Sequence, residues 1–294
     1  MGDMPGLGRE DRGVVSVGAL RAHLVGVGLA GRVSTSREGS LRSYRMFAER
    51  DPRQTLGLDP EGDWGVAELL KLMADRCGVS ADPGNTSGQD VIDPDCTVAA
   101  LDAFAERLAR AAHDRIPVLL GTGHPHRLLG FYASLAAALS AAGCVILTPA
   151  YGRSVDMPTQ FGVRRHNLWY VGGVAVARPV DFSTGGNTIP GGPVATPRSG
   201  AHTHSPLPVR AALAAAAEQG GVLPKLVVGD HGFVCGAGQL GIEAIGLADA
   251  DDPAVFVAEA EGRVSVAVPL NDTVRSDYYR PLTRYVLNRA WLSQ

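Results

Sequence analysis

Four short apolar runs in this chain each break off into a polar tip: VLLGTGH ending at His124, LVVGDHG at Gly232, AIGLADADD at Asp252 and VAVPLNDT at Thr273. Apolar runs without polar alternation read as strands buried on both faces, which is the habit of parallel sheets covered by helices. Alanine-rich stretches such as PHRLLGFYASLAAALSAAG and VRAALAAAAEQG lie between them with helical spacing. The pattern predicts an α/β fold: a Rossmann-like, doubly wound, mainly parallel sheet preceded by an N-terminal helical layer. Ligands of open α/β sheets bind beyond the carboxyl ends of the strands, so the four tips should face one crevice.

Residues 1–113 form the expected helical layer and residues 114–294 the α/β catalytic region, packed together as one integrated domain. In the first part, VVSVGALRAHLVGVGLAG and GVAELLKLMADRCG repeat apolar residues at helical spacing, with C-caps near Gly31 and Gly78. The polar stretch from Ser80 to Asp90 reads as a loop, and Thr97 to Ala112 as a further helix. From Ile116, a strand, a glycine turn, a helix and a second strand at CVILTP suggest a βαβ unit. NLWYVGGVAVAR suggests a hairpin or edge strand, Pro179–Gly200 is rich in glycine and proline, and Tyr278 to about Trp291 reads as a closing helix.

With 27 basic against 30 acidic residues the net charge is −3, and no basic stripe points to nucleic acid. The four cysteines stand singly, without CxxC spacing, and MGDMPGLGREDRG lacks a basic segment followed by an apolar core. The expectation is a cytoplasmic protein with no nucleic-acid or membrane partner. Homo-oligomer formation is left open.

The tips carry the candidate chemistry. Thr122, Gly123, His124 and Arg127 sit between a strand and a helix, where glycine lets backbone approach an anion and helix N–H groups attract it. They are the candidate substrate grip, joined by Arg45 if the stretch STSREGSLRSYRMF folds over the crevice. Asp230 and Asp249, each just after an apolar run, are candidate ligands for one hard divalent cation (Mg, Mn or Fe). His202 and His204, two apart on a loop, would point the same way, and with Asp230 and His231 they complete the candidate catalytic set. Asp93-Pro94-Asp95-Cys96-Thr97 imitates a phosphoaspartate motif but lacks a buried strand before it, so Asp95 or Thr97 reads as a helix N-cap. Cys235 reads as a packed small residue.

HTHSP, GDHGFVCGAGQLGIEAIGLADADDPAVFVAEAEGRVSVAVPLND and YYRPLTRYVL, with LRSYRMFAERDP, GVAELLKLMADRCGV and IDPDCTVAALDAFAERLA, resemble a bacterial, largely actinobacterial, family of phosphatases. Members are associated with natural-product clusters, including those of nucleoside antibiotics. The resemblance covers nearly the whole chain and implies phosphomonoester hydrolysis. More remotely, the plan is similar to D-glutamate cyclases and metal-dependent damage-control phosphatases. In the latter an acidic strand tip holds the metal, and Asp230-His231 here replaces their Asp-Asn pair.

These readings combine into a hydrolase of a small-molecule phosphate ester, a sugar or nucleoside phosphate, that depends on a divalent cation. A cyclase or lyase of a small amino or hydroxy acid, and a metabolite-binding protein without turnover, remain alternatives.

Overall fold

A computed structural model describes residues 15–159, 162–180, 200–218 and 220–293. The N-terminal stretch 1–14 and most of the glycine- and proline-rich segment noted above lie outside the described residues. In chain order the elements are α1 (Val17–Gly26), β1 (Gly31–Ser36), α2 (Arg37–Ala48), α3 (Pro52–Thr55), α4 (Val66–Cys77), β2 (Gln89–Ile92) and α5 (Pro94–His113). There follow β3 (Val118–Gly121), α6 (Pro125–Ala141), β4 (Ser154–Thr159), β5 (Gly162–Val171), β6 (Val174–Pro179) and α7 (Leu207–Glu218). The last are β7 (Leu226–Asp230), α8 (His231–Gln239), β8 (Ala244–Ala248), α9 (Pro253–Ala260), β9 (Val266–Pro269) and α10 (Arg280–Arg289).

The main sheet has the order β4-β5-β6-β3-β7-β8-β9. From β6 to β9 all neighbours run parallel, whereas β4 and β5 extend the sheet as antiparallel strands. Every residue of β3, β7, β8 and β9 is buried, as runs without polar alternation require. Helices α5, α6 and α10 pack together beside β3 and β9, and α7, α8 and α9 pack together beside β7 and β8. Strand order reverses around β3, so the carboxyl ends of β3 and β7 flank a topological switch point. One contiguous apolar core runs from Leu20 to Leu292 through both the N-terminal layer and the sheet. Among the described residues no helix is long and apolar enough to cross a membrane.

The N-terminal layer is not purely helical. α1 stops at Val27, because Gly28 turns left-handed (φ 74°), and Gly31 opens β1 instead of capping the helix. β1 pairs antiparallel with β2, which sequence patterning missed because only Val33 is buried in the first strand and only Asp90 and Ile92 in the second. A strand thus does precede Asp93, but it belongs to this two-stranded ribbon. Asp93 itself caps α5 by accepting from the Asp95 amide, and Asp95 pairs with Arg21 at the surface. CVILTP makes only an isolated bridge from Ile146 to Val118; farther along, β6 stands beside β3 at Leu120. β6 arrives through a hairpin with β5 whose turn, Gly172-Gly173, has positive φ at both residues.

Glycines set the distance between sheet and α8. A methyl on Gly121 would overlap the Phe233 ring, and one on Gly229 would come within 2.5 Å of the Gly121 carbonyl. Without side chains at these two tips, Phe233 of α8 seats directly on the strands. The first turn of α8 therefore lies against the strand ends.

Candidate functional site

Two glycines admit the loop that carries the paired histidines. Thr203 donates its amide to the Gly123 carbonyl at 2.9 Å, and the Ala201 amide reaches Ala177 on β6 at 2.7 Å. A methyl on Gly123 would collide with the Thr203 carbonyl, and one on Gly232 with that of His204. The glycines of GTGH and GDHG are therefore docking surfaces for the Gly200–Pro206 stretch. Gly123→Ala is expected to displace that stretch while leaving the sheet folded. Turnover should fall at least tenfold with far-ultraviolet circular dichroism unchanged, in line with the sensitivity of catalysis to displacement by about 1 Å. An unaltered rate would show that the loop's placement does not matter.

So seated, His202 and His204 meet two other imidazoles. Ring centroids are 4.2 Å apart for His124 and His202, 4.4 Å for His124 and His231, and 4.2 Å for His204 and His231. Nε2 of His202 lies 3.0 Å from Nε2 of His204. His202 is exposed at the mouth, whereas His231 is fully enclosed.

Carboxylates close the inner end. Asp230 accepts from Thr122 Oγ1 at 2.5 Å and the Gly123 amide at 2.6 Å, and Thr122 Oγ1 in turn accepts from the His124 amide at 2.9 Å. His231 sits at the β7-to-α8 corner with φ 45°, a left-handed conformation uncommon outside glycine and asparagine. Its Nδ1 lies 3.2 Å from Asp230, and its Nε2 lies 2.8 Å from Asp252 and 3.1 Å from Asp272.

This setting splits the histidines into two kinds. Burial alone would lower the His231 pKa, but Asp252, Asp230 and Asp272 outweigh it and hold the ring as an imidazolium. Burial and neighbouring histidines push His124 and His204 down, His204 to about 3, and burial and His231 lower His202. These three rings are neutral and offer lone pairs. Burial would raise Asp252, yet His231 brings it to about 2; burial raises Asp272 against the pull of the same ring.

Three groups bring three ligand atoms within 4.8 Å of one another among the described residues: His124 with His202 and His204; His124 with Asp230 and His231; and His204 with His231 and Asp252. His124 Nδ1 and Asp272 Oδ2 are buried with no hydrogen-bond partner, and lie 3.8 Å apart. Buried polar atoms without hydrogen bonds, in the midst of such donors, fit the presence of a cation. The donor set is richer in imidazole than expected for Mg²⁺.

Some expected roles shift. Thr122 and Gly123 commit their donors to Asp230, so they brace that carboxylate; the GTGH amides do not form an open anion cradle. Asp249 accepts from Thr35 Oγ1 at 2.7 Å and from the Ala250 amide, and it belongs to none of the three groups. A turn closed by the Asp252 amide on the Asp249 carbonyl reverses the chain, so Asp252 is the acid that meets His231. Arg45 is exposed on α2, whose inner face is fixed by Tyr44 donating to the Ala250 carbonyl; Arg45 joins none of the cluster's bonds. Arg37 is buried and bonded to Asn85, Ser80 and Asp90. Arg127 stays exposed on the first turn of α6, close enough to help depress His124. Cys235 is buried, and burial pushes its thiol up to about 12, so no thiolate is on hand.

Asp252 and Asp272 were missed as site residues although their tips, ADADD and LNDT, were noted. The available signal was positional: Asp252 precedes the proline that opens α9, and Asp272 stands three residues beyond β9 on the neighbouring strand.

Comparison with known proteins places these features in context. A family model described as Phosphatase matches residues 15–294. Phosphatase SCO2771 of Streptomyces coelicolor is 40% identical over 289 residues, covering 95% of this chain and 98% of that protein. A 4-hydroxy-tetrahydrodipicolinate synthase of Sorangium cellulosum is 36% identical over 110 residues, 37% of this chain and 32% of that one.

Proposed function

The chain belongs to the Phosphatase family, and from that premise we propose that it hydrolyses the phosphate monoester of a small metabolite, a sugar or nucleoside phosphate, with a divalent cation in the histidine–aspartate cluster. The observation that carries this reading is the cluster itself: four imidazoles and three buried carboxylates beyond the ends of parallel strands, with His124 Nδ1 and Asp272 Oδ2 unpartnered. His124, His202, His204, Asp230, Asp252 and Asp272, with His231 once its ring has released its proton, are the side chains that would hold the cation. When bound, it would supply Lewis-acid polarisation of the phosphoryl oxygens.

The chain's own groups dictate how an ester enters. Arg127 and His202 are exposed at the solvent side, and an arginine fork suits two phosphate oxygens. The carboxylates at the buried end repel an anion, which keeps the phosphoryl group on the imidazole side. Asp230 is fixed by two donors and His231 by three carboxylates, so the centre is organised before substrate arrives. The proposed leaving group is of nucleoside or sugar type, and the proposed setting is cytoplasmic.

The test is phosphate release from a panel of sugar and nucleoside monophosphates after chelation and after adding back single metals. Release should disappear on chelation and return with Mn²⁺, Fe²⁺ or Zn²⁺ more fully than with Mg²⁺, because imidazole donors favour those ions. Release that persists after complete chelation would remove the cation from the reading, and no release from any ester would favour a cyclase or a binding protein.

A further inference from the structure

The cluster has more ligands than one ion can use. A transition-metal ion takes roughly four to six donors, some of them water or substrate, whereas seven side chains converge here. The three groups overlap at His124, His204 and His231 and together reach from the mouth to the buried end. At the mouth, His124, His202 and His204 form one group, with the Nε2 atoms of His202 and His204 3.0 Å apart and their rings at 84°. Two neutral imidazole nitrogens at that separation can share at most one hydrogen. Adjacent nitrogens on one ion with bonds of about 2.0–2.1 Å stand about 2.9–3.4 Å apart, so the pair already has ligand spacing.

At the buried end, His204, His231 and Asp252 form another group. Asp272 Oδ2, outside that group, lies 3.1 Å from His231 Nε2, and its side chain is only 4% exposed. A buried aspartate oxygen with no hydrogen bond, beside one imidazole that it shares with Asp252, is the kind of group that a cation satisfies. His202 does not reach this end, and Asp252 and Asp272 are absent from the outer group.

We propose that the cluster is a two-ion centre, with an outer ion on His124, His202 and His204 and an inner ion on Asp252, Asp272 and His231, whose ring gives up its proton when metal binds. The inference rests on the metal-dependent reading above and extends it: the outer ion, at the exposed end, has open positions for phosphate oxygens, while the inner one is enclosed by protein.

Metal content distinguishes the cases without reference to activity. The full chain is stripped with chelator, reloaded with Mn²⁺ or Zn²⁺, freed of excess metal and measured by elemental analysis against protein concentration. Two equivalents per chain are expected, falling to one in His202→Ala and to one in Asp272→Asn. His202 is on an exposed loop, so its variant should fold, and circular dichroism checks the other. A single equivalent in the unsubstituted protein overturns the two-ion centre but leaves a metal-dependent phosphatase standing. No retained metal overturns both, and phosphate release measured on the same samples then shows whether hydrolysis itself survives.

Discussion

Replacing His231 with asparagine is expected to destabilise the chelated protein by about 3–5 kcal/mol, the usual consequence of removing one partner from a buried ion pair, and to abolish phosphate release. The ring touches Asp230, Asp252 and Asp272 and is 1% exposed, so its loss leaves three carboxylates in the interior without their cation. Asparagine is the informative substitute because it tolerates the left-handed backbone at φ 45°. The deficit then reports on the imidazole and not on the corner. Removing a carboxylate at the same time should restore part of the loss: in a double-mutant cycle with Asp252→Asn, the combined effect should fall short of the sum by at least about 0.5 kcal/mol. Denaturant unfolding of the four proteins measures this directly. A loss below about 1 kcal/mol for His231→Asn, the scale of one ordinary hydrogen bond, would mean that the ring carries no charge that the carboxylates need.

The contrast between what the chain reveals and what it conceals has a physical origin. β3, β7, β8 and β9 were readable because a strand covered on both faces must be apolar throughout, and their shared direction follows from the helices between them. With direction known, convergence of the four tips is a matter of topology, and the tips do supply Asp230, His231, His124, Asp252 and Asp272. Which acid at a tip faces inward is not a matter of topology. Asp249 directly follows β8, yet the turn that ends in Asp252 sends Asp249 toward Thr35 and its neighbour three residues later toward His231. The role of Thr122 and Gly123 was hidden for a similar reason. A glycine and a threonine after a strand are equally good at cradling an external anion or an internal one, and here the internal carboxylate of Asp230 takes both donors. The β1–β2 ribbon escaped notice because its strands are short and bury few apolar residues, so neither carries enough period-two signal to compete with a loop.

Asp230→Asn should separate the two duties of that carboxylate. In the native site both of its oxygens accept, one from Thr122 Oγ1 and one from the Gly123 amide. An asparagine can satisfy only one of these donors, since its amide nitrogen must face the other. The Gly123 amide cannot turn, so it keeps the carbonyl oxygen. Thr122 must then receive a hydrogen bond where it formerly gave one, and its own hydroxyl hydrogen is left in a buried setting, where it costs about 1–3 kcal/mol. Function should suffer more than the fold. The substitution removes a charge at the centre of the cluster and loosens the turn that positions His124, and loss of one preorganised electrostatic group typically lowers turnover on the order of 10²–10³-fold. The expected result is therefore a folded protein with modestly lowered stability, phosphate release down by at least about 10²-fold, and reduced metal retention. Should release stay within tenfold of the unsubstituted enzyme while stability drops as stated, Asp230 would be a brace for the GTGH turn alone, and the chemistry would have to rest on Asp252 and Asp272 at the other side of His231.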